Sequence, residues 1–408
     1  MNTAYFIARR IAANRNNAFS GIIMRIAAIA VALSVAAMIM AGALINGFQQ
    51  EISEKAFGFW GHIHISHFGR NYSFDNTPIG SDQPFYPLMD SLAGVRHIQQ
   101  YATKPGIIKS GDQIEGIILK GVSTDFDWTF LKKHLRSGNL IRIPADSASN
   151  GILISSTTAG RLGLQTGSPI IMHFVDADAQ RTRHRRFSVE GIYSTGLEEF
   201  DKLFAIIDLR HIRQLNHWGE EQIGGFEVFI DDESDLERMD AAVFRAIGPD
   251  LDSRTIRAIY PNLFDWLRLQ STNETVIISL MSIVAMFNMI TALLILILER
   301  TRMIGALKAM GAGDGLIRKV FLYGGSYIIL IGLLAGNVLG LGLAGLQDQF
   351  GLLTLPEKTY YVSVAPVRID WMKVTLLNIG TFAICYLALI IPSMLVSRIN
   401  PVRTIGFR

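Results

Sequence analysis

Four long apolar runs without a single Asp, Glu, Lys or Arg constrain this 408-residue chain more than any other feature. They lie at 26–45, 276–298, 320–346 and 374–396. Each has the roughly 20 residues that a helix needs to cross a hydrocarbon core of about 30 Å. Backbone within lipid must satisfy its own hydrogen bonds, and the alternation typical of barrel strands is missing. We therefore expect four transmembrane helices.

Basic residues are distributed unevenly around these runs. The segments at 1–25, 299–319 and 397–408 are rich in Arg and Lys, whereas the loop at 347–373 balances its charges. By the positive-inside rule the three basic segments are cytoplasmic, which places both termini inside and the large domain outside. The net charge is +3, but the basic residues lie at the membrane edges, where anionic headgroups explain them. We therefore expect membrane lipids and no nucleic acid as partners.

The region between the first and second runs has the composition of a folded domain that alternates strands and helices. Short segments rich in β-branched and aromatic residues predict strands at 62–66, 116–120, 152–154, 169–174, 187–193, 203–207 and 226–230. Helices are predicted at 156–162, 209–215 and 234–247, the last opened by a capping box of Ser234 and Glu237. The fold class is therefore an α-helical membrane protein with four transmembrane helices and a large extracytoplasmic α+β domain between the first two.

These patterns divide the chain into nine consecutive segments. The first run is longer than the core of a cleavable signal, about 7–15 residues, so we expect it to be retained as a span. The predicted segments are a cytoplasmic start at 1–25, the first span at 26–47, the external domain at 48–273, the second span at 274–298, a cytoplasmic helix at 299–319, the third span at 320–346, a short periplasmic loop at 347–373, the fourth span at 374–396 and a cytoplasmic tail at 397–408.

Two strands of the external domain, at 169–174 and 187–193, predict a hairpin joined by a polar loop at 175–186. The loop holds five basic residues: Arg181, Arg183, His184, Arg185 and Arg186. A cluster of this kind favours either a solvated loop tip or a docking surface for an acidic partner.

No catalytic constellation is present in the sequence. It contains no G-x-x-x-x-G-K-[ST] motif for nucleotide phosphates and no Ser, Cys or carboxylate in a recognisable nucleophile pattern. His62 and His64 would share one strand face, but neither they nor His67 have Cys, Asp or Glu at ligand spacing. We therefore expect a chain that is not an enzyme, with no metal site and no cofactor of its own.

The third run is marked by glycine at four-residue intervals. Gly332, Gly336 and Gly340 fall on one face of a helix. Glycine lets another helix approach closely, so this pattern predicts a packing face toward a neighbouring span.

The cytoplasmic segment between the second and third runs predicts a short amphipathic helix at 300–310, interrupted by Gly311-Ala312-Gly313. Its apolar residues recur at helical spacing, with Arg300, Arg302 and Lys308 supplying charge. Such a helix either lies on the lipid surface or docks a cytoplasmic motor protein.

Several segments resemble the FtsX/MacB-like ABC transporter permeases, and in particular the lipoprotein-releasing, LolC/LolE-type branch. The segments that carry the resemblance are FNMITA at 287–292, ERTRMIGALKAMGA at 299–312, NGFQQEI at 46–52, NPVRTI at 400–405, and LGLQTG at 162–167 with VEGIY at 189–193 in the external domain. The resemblance covers essentially the whole chain and agrees with the four-span layout.

The resemblance implies a non-catalytic permease subunit in the bacterial inner membrane, working as a dimer with an identical or homologous second protomer. Two copies of a separate ATPase would bind ATP and Mg²⁺. That ATPase would push on a set of coupling residues: Glu299, Arg300, Met303, Ile304, Gly305, Ala306, Leu307, Lys308, Ala309 and Gly311. An acylated protein would enter between the first two spans and pass to a periplasmic carrier protein.

The residues that the resemblance assigns to acyl-chain contact are Met38, Met40, Leu44, Phe48, Met286, Phe287 and Ile290. One departure concerns the carrier-recruiting member of the family, which has a longer, proline-containing hook where residues 175–186 here are short, basic and free of proline. Two other functions stay open: an FtsX-like permease that activates a cell-wall hydrolase, and a MacB-like efflux permease. The large external domain favours transport over signalling.

Overall fold

The computed structural model describes residues 4–6, 18–69, 74–86, 88–110, 113–175, 182–356 and 360–398. Its α-helices are α1 (Ala18–Trp60), α2 (Thr129–His134), α3 (Ser156–Leu162), α4 (Glu198–Leu203), α5 (Leu209–Asn216), α6 (Leu236–Ala246), α7 (Ile256–Ile259), α8 (Pro261–Glu299), α9 (Thr301–Ala309), α10 (Asp314–Phe350) and α11 (Trp371–Ser393). Short 3₁₀ helices cover Leu88–Ser91, Glu233–Asp235 and Met394–Arg398.

The strands all belong to the part of the chain between α1 and α8. They are β1 (Ile63–His67), β2 (Ile79–Gly80), β3 (Val95–Ser110), β4 (Gln113–Val122), β5 (Leu135–Gly138), β6 (Gly151–Ser155), β7 (Pro169–Val175), β8 (Thr182–Tyr193), β9 (Phe204–Asp208), β10 (Gln222–Ile223), β11 (Gly225–Ile230) and β12 (Leu251–Thr255).

The chain divides into two compact units. The membrane unit comprises Met1–Gln49, Trp266–Thr354 and Val364–Arg408, and the external unit comprises Gln50–Asp265 and Leu355–Ser363. Helices α1, α8, α10 and α11 are long and apolar enough to cross a membrane. Within the membrane unit, buried aliphatic side chains of all four helices form one continuous core.

Three of the spanning helices, α1, α8 and α10, are longer than the apolar runs that predict them, and α1 and α8 extend furthest. Helix α1 continues to Trp60, and its polar part carries an i,i+4 hydrogen bond from Gln50 to Glu54 and an ion pair of Glu51 with Lys55. Helix α8 begins at Pro261, a residue favoured in the first turn because it has no N–H to leave unpaired.

The external unit is built on one ten-stranded mixed sheet. Its strand order is β12-β1-β11-β3-β4-β9-β6-β8-β5, and β7 pairs with both β3 and β8. These pairings close β3, β4, β9, β6, β8 and β7 into a ring. Closure removes free edges from six strands, and the residues of β6, β9 and β11 are buried throughout.

All seven strands predicted from composition are confirmed, with ends that differ by a few residues. The longest strand, β3, was missed because Lys104-Pro105-Gly106 interrupts its pattern. Pro105 and Gly106 nevertheless pair in register with Ile118 and Ile117 of β4. A Cβ on Gly106 would lie 2.7 Å from Cε1 of Phe174, so only glycine permits the close approach of β7.

The predicted loop at 175–186 is wrong in extent. Strands β7 and β8 form the expected hairpin, but β8 begins at Thr182, so Arg183, His184, Arg185 and Arg186 lie in a strand. Arg183 pairs in register with Phe174 and donates a hydrogen bond of 2.9 Å to the carbonyl of Leu215. The interpretation as a basic loop tip therefore fails for these four residues; Arg181 lies outside the described residues.

The predicted capping box of Ser234 and Glu237 is also wrong. Helix α6 begins at Leu236, its N-cap is Asp235, and no side chain caps it. Ser234 instead lies in the preceding 3₁₀ turn, where its N–H donates to the carboxylate of Asp232 over 2.8 Å. Asp competes effectively for such local backbone donors, which shifts the helix start by two residues.

Candidate functional site

Helix α9 presents two different faces. Ile304 and Gly305 are buried within the membrane unit, and Met303 and Leu307 are half-buried against its core. The opposite face is exposed and consists of Arg302, Ala306, Ala309 and Met310. Positions spaced by three and four residues share one side of a helix, so these four form a continuous surface, called here the α9 face.

The junction between α9 and α10 is fixed by local contacts. Gly311 has a φ of 89°, a left-handed conformation that glycine adopts without strain. Its N–H bonds the carbonyl of Lys308, and the N–H of Ala312 bonds that of Leu307, which together end α9. Across the turn, the ammonium of Lys308 lies 2.9 Å from the carboxylate of Asp314 in the first turn of α10. The α9 face is therefore held by a short, tied turn.

Three charged side chains around α9 have incompletely satisfied polar atoms. Oε2 of Glu299, Nε of Arg300 and Nε of Arg318 are buried and have no hydrogen-bond partner among the described residues. A buried donor or acceptor without a partner costs about 1–3 kcal/mol. Of the ten predicted coupling residues, Glu299 and Arg300 thus carry hydrogen-bonding capacity that the described part of the chain does not use.

The three glycines of α10 lie directly against α1. A Cβ at Gly332 would lie 2.7 Å from Cβ of Val31, and one at Gly336 would lie 2.7 Å from Cβ of Val35. At Gly340 the nearest atom would be Cα of Ala36, at 3.0 Å. Real Cβ atoms essentially never come as close as 2.7 Å, and the approach at Gly340 is tighter than most real contacts. This helix pair therefore depends on glycine.

The predicted acyl-contact residues do not share one environment. Met38 is fully buried, and its sulfur lies 3.6 Å from the hydroxyl of Ser282 on α8. Phe287 is 59% exposed. The remaining five are half-buried: Met40, Leu44, Phe48, Met286 and Ile290. Met38 therefore faces the interior of the unit, whereas Phe287 faces outward.

A cavity of about 330 Å³ lies among α1, α8 and α11, and sequence reasoning missed it. We call it the three-helix cavity. Its walls are mainly apolar and include Met38, Gly42, Ile278, Ser282, Leu377 and Gly380. A signal was present in the sequence, because Glu274 and Lys373 each precede an apolar run by one or two residues.

The polar end of the three-helix cavity is formed by charged and amide groups. The ammonium of Lys373 donates to Oδ1 of Asn46 over 2.5 Å and lies 3.7 Å from the carboxylate of Glu274. The carboxylate of Asp370 accepts bonds from the N–H groups of Met372 and Lys373 and so caps α11. The cavity thus joins an apolar interior to a polar mouth.

The histidines singled out as a weak metal candidate are packed as uncharged side chains. His62 precedes β1 rather than lying in it, and its ring stacks on Phe57 with centroids 4.4 Å apart. His64 bonds the carbonyl of Trp60 through Nε2 over 2.7 Å. Burial lowers the pKa of both rings to about 3. Among the described residues no cluster of three or more His, Cys, Asp or Glu is arranged to hold a metal ion.

A buried ion pair in the external unit was not foreseen from the sequence. The ammonium of Lys120 on β4 lies 2.7 Å from the carboxylate of Glu227 on β11, and both side chains are fully buried. Lys120 also donates to the carbonyl of Phe59 over 2.5 Å and sits 4.4 Å from the ring centroid of Trp60. Burial lowers the pKa of the Lys120 amine and raises the pKa of the Glu227 carboxyl. The end of α1 is therefore tied to two strands.

Comparison with known proteins agrees with this architecture. Residues 25–245 match the MacB-like periplasmic core domain, and residues 275–401 match the FtsX-like permease C-terminal domain. The chain belongs to the family of ABC permeases that combine these two parts, and it is a multi-pass inner-membrane protein with a periplasmic α+β domain.

Relatives of similar length are proteins of the lipoprotein-releasing system. The transmembrane protein LolC of Xylella fastidiosa (strain Temecula1) is 23% identical, over 98% of this chain and 97% of the relative. LolE of Haemophilus influenzae is 21% identical, over 100% of both chains. The solved periplasmic region of MacB from Actinobacillus actinomycetemcomitans matches 52% of this chain and 98% of its own length, at 14% identity and a TM-score of 0.34. The similarity to LolC and LolE, together with the two family matches, identifies the chain as an ABC permease of the Lol family.

Proposed function

We propose that this chain is the permease subunit of an ABC transporter in which a separate ATPase drives the extraction of lipoproteins from the inner membrane toward a periplasmic carrier. Similarity to LolC and LolE over nearly the full length supports this function. The observation that carries the coupling step is the exposed α9 face, which leaves apolar and small residues uncovered beside a basic one. A surface of this kind fits a protein partner.

The proposed assembly contains two permease protomers, identical or homologous, and two ATPase subunits. The ATPase binds ATP and Mg²⁺, so this chain needs no cofactor. Both termini lie in the cytoplasm with α9, on the same side as the ATPase. The distribution of Arg and Lys among the segments between the spans supports this orientation.

Force from the ATPase enters through the α9 face. Ile304 and Gly305 are anchored in the core of the membrane unit, so a push on Ala306 or Met310 is passed to packed side chains rather than to a loose loop. The ion pair of Lys308 with Asp314 carries the displacement into α10. Helix α10 moves α1 through the glycine contacts at Gly332, Gly336 and Gly340.

Substrate contact is proposed for the first two spans. The half-buried set of Met40, Leu44, Phe48, Met286 and Ile290, together with the exposed Phe287 and the buried Met38, supplies large flexible or aromatic side chains. Methionine adapts its shape to varied apolar ligands, which suits acyl chains of different length.

The coupling step is tested by the substitution Ala306→Asp, with Ala306→Ser as the matched control. Ala306 is exposed on α9, so neither change disturbs the core. An aspartate that becomes buried without a partner in the ATPase interface should lower the affinity of the permease for the ATPase by about tenfold or more. Binding to the ATPase and stimulation of ATP hydrolysis are measured with the full-length permease in vesicles.

We expect Ala306→Asp to lose both signals and Ala306→Ser to retain them. Unchanged binding and stimulation in Ala306→Asp would show that α9 does not couple the ATPase. Transport itself is tested with a purified acylated protein in the same vesicles and a soluble acceptor outside. If ATP causes no transfer to the acceptor while the ATPase is bound and active, extraction of lipoproteins is not the function.

A further inference from the structure

We propose that the three-helix cavity binds one acyl chain of the protein substrate's lipid anchor, with the ester or amide carbonyl of that chain at Lys373. The inference rests on the proposed function. It adds α11 to the substrate contacts, which the family resemblance had placed on α1 and α8 alone.

The dimensions of the cavity fit a single chain. Its lining on α11 extends from Lys373 to Ile384. Eleven helical steps of about 1.5 Å give a depth of about 16 Å, roughly half of a hydrocarbon core of about 30 Å. A volume of about 330 Å³ is at the small end of the range for ligand sites in proteins. One chain that reaches the middle of the membrane therefore fits better than a whole two-chain lipid.

The walls have the chemistry of an acyl-chain site. Ile278 and Leu377 are aliphatic, and Met38 adds a flexible side chain at the wall shared by α1 and α8. The hydroxyl of Ser282 is directed to the sulfur of Met38. The chain enters these walls from surrounding lipid tails, so its gain comes from van der Waals packing rather than from removal from water.

The charged residues at the polar mouth of the cavity favour an acyl chain attached to an uncharged group. Glu274 and Asp370 supply two negative charges and Lys373 one positive charge, a formal sum of −1. A phosphodiester head would meet two carboxylates and one ammonium, which disfavours a phospholipid. An ester or amide carbonyl is uncharged and accepts a hydrogen bond. The Lys373 ammonium has three N–H donors, and one of them is bonded to Asn46. The Glu274 carboxylate lies 3.7 Å from the ammonium nitrogen.

The substitution Gly380→Leu fills the cavity without disturbing the helix. Gly380 lines the cavity, and a Cβ built on it meets no atom within 4 Å. Leucine also favours helix more than glycine does. The matched control is Gly342→Leu on α10, where a Cβ likewise meets no atom within 4 Å and the residue does not line the cavity.

The first readout is ATP-driven release of a purified N-acylated, diacylglyceryl-modified protein. It is released from phosphatidylethanolamine–phosphatidylglycerol vesicles that hold the full-length permease with its ATPase. We expect Gly380→Leu to raise the substrate concentration needed for half-maximal release about tenfold, because the leucine side chain occupies space that the acyl chain would fill; tenfold corresponds to about 1.4 kcal/mol of binding free energy. Gly342→Leu should match the unmodified chain, and both variants should unfold at the same temperature as that chain.

The second readout is photo-crosslinking from α11. A crosslinker at Ile384, which lines the cavity, should capture the acylated protein, and Gly380→Leu should abolish this capture. A crosslinker at Leu387, 61% exposed and not among the lining residues, should capture phospholipid. Capture at Ile384 of phospholipid alone, or of a second copy of this chain, would overturn the proposal.

The two proposals fail in distinguishable ways. If the unmodified chain releases the acylated protein and Gly380→Leu does so at the same substrate concentration, the cavity is not an acyl-chain site and the transport function stands. If the unmodified chain with an active ATPase releases nothing, the transport function and the cavity assignment both fall.

Discussion

The buried ion pair of Lys120 with Glu227 makes a prediction whose size follows from the structure. Both side chains are fully buried, and the ammonium is also bonded to the carbonyl of Phe59 at the end of α1. The substitution Lys120→Met keeps the aliphatic length and removes the charge. Among the residues that the structure describes, the amide of Gln99, at 2.6 Å, then remains the hydrogen-bond partner of the Glu227 carboxylate in a closed core.

Removing one partner of a buried ion pair costs about 3–5 kcal/mol, because the other charge remains desolvated. Domains are stable by about 5–15 kcal/mol in total, so Lys120→Met should consume a large share of the stability of the external unit. The double variant Lys120→Met/Glu227→Gln removes both charges and leaves the Phe59 carbonyl without its donor. We expect the double variant to be destabilised by only about 1–2 kcal/mol.

Pulse proteolysis of the full-length protein in urea measures this difference. At about 2–3 kcal/mol per molar urea, Lys120→Met should lower the unfolding midpoint by about 1–2 M, and the double variant should recover most of that loss. If Lys120→Met had an unfolding free energy within about 1 kcal/mol of the unmodified protein, the reasoning would be refuted, because an exposed surface ion pair contributes that little. A double variant less stable than Lys120→Met would refute it as well.

The dependence of unfolding stability on pH provides an independent test of the Lys120→Met prediction. Burial already raises the pKa of the Glu227 carboxyl, and loss of the Lys120 charge raises it further. A group whose folded pKa is raised gives stability that is present at low pH and lost as pH rises. The gap between Lys120→Met and the unmodified protein should therefore be smaller at pH 5 than at pH 8.

Two further perturbations test other contacts of the structure. Gly336→Leu should destabilise the protein by about 1–3 kcal/mol in thermal unfolding in detergent, because the new side chain overlaps Val35, whereas Gly342→Leu should not. His64 has a folded pKa of about 3 against 6.5 unfolded, so its contribution to stability falls as pH drops below 6.5. Between pH 7.5 and pH 5 the buried His64 ring should lower the free energy of unfolding by about 2 kcal/mol. Urea unfolding should show that His64→Gln removes this loss.

Much of the architecture was predictable because its signals are local. A charge-free run of membrane length can hardly be anything but a helix in lipid. The seven strands rich in β-branched and aromatic residues were also all predicted. Strand β3 was not, because Pro105 and Gly106 normally interrupt a strand. Its ten-residue ladder with β4 and its pairing with β7 compensate locally unfavourable residues. Such compensation depends on partners far along the chain and is invisible in a sequence window.

The internal sites were hidden for the same reason. Lys120 and Glu227 lie 107 positions apart, and each alone predicts a solvated surface residue. The three-helix cavity needs α1, α8 and α11 at once, and only the charged residues at the ends of their apolar runs hinted at its mouth. Sequence patterns indicate which residues are apolar or charged, whereas the pairing of distant segments decides which of them meet.

Helix α9 shows how this limit affects the candidate coupling site. Its apolar stripe of Met303, Ile304, Leu307 and Met310 predicts one buried face. In the structure Ile304 is fully buried but Met310 is 75% exposed, so the stripe is covered at one end only. A methionine left uncovered beside exposed alanines is costly in water and favourable against a protein partner. The uncovered end of the stripe therefore marks the part of α9 at which an ATPase contact would gain the most.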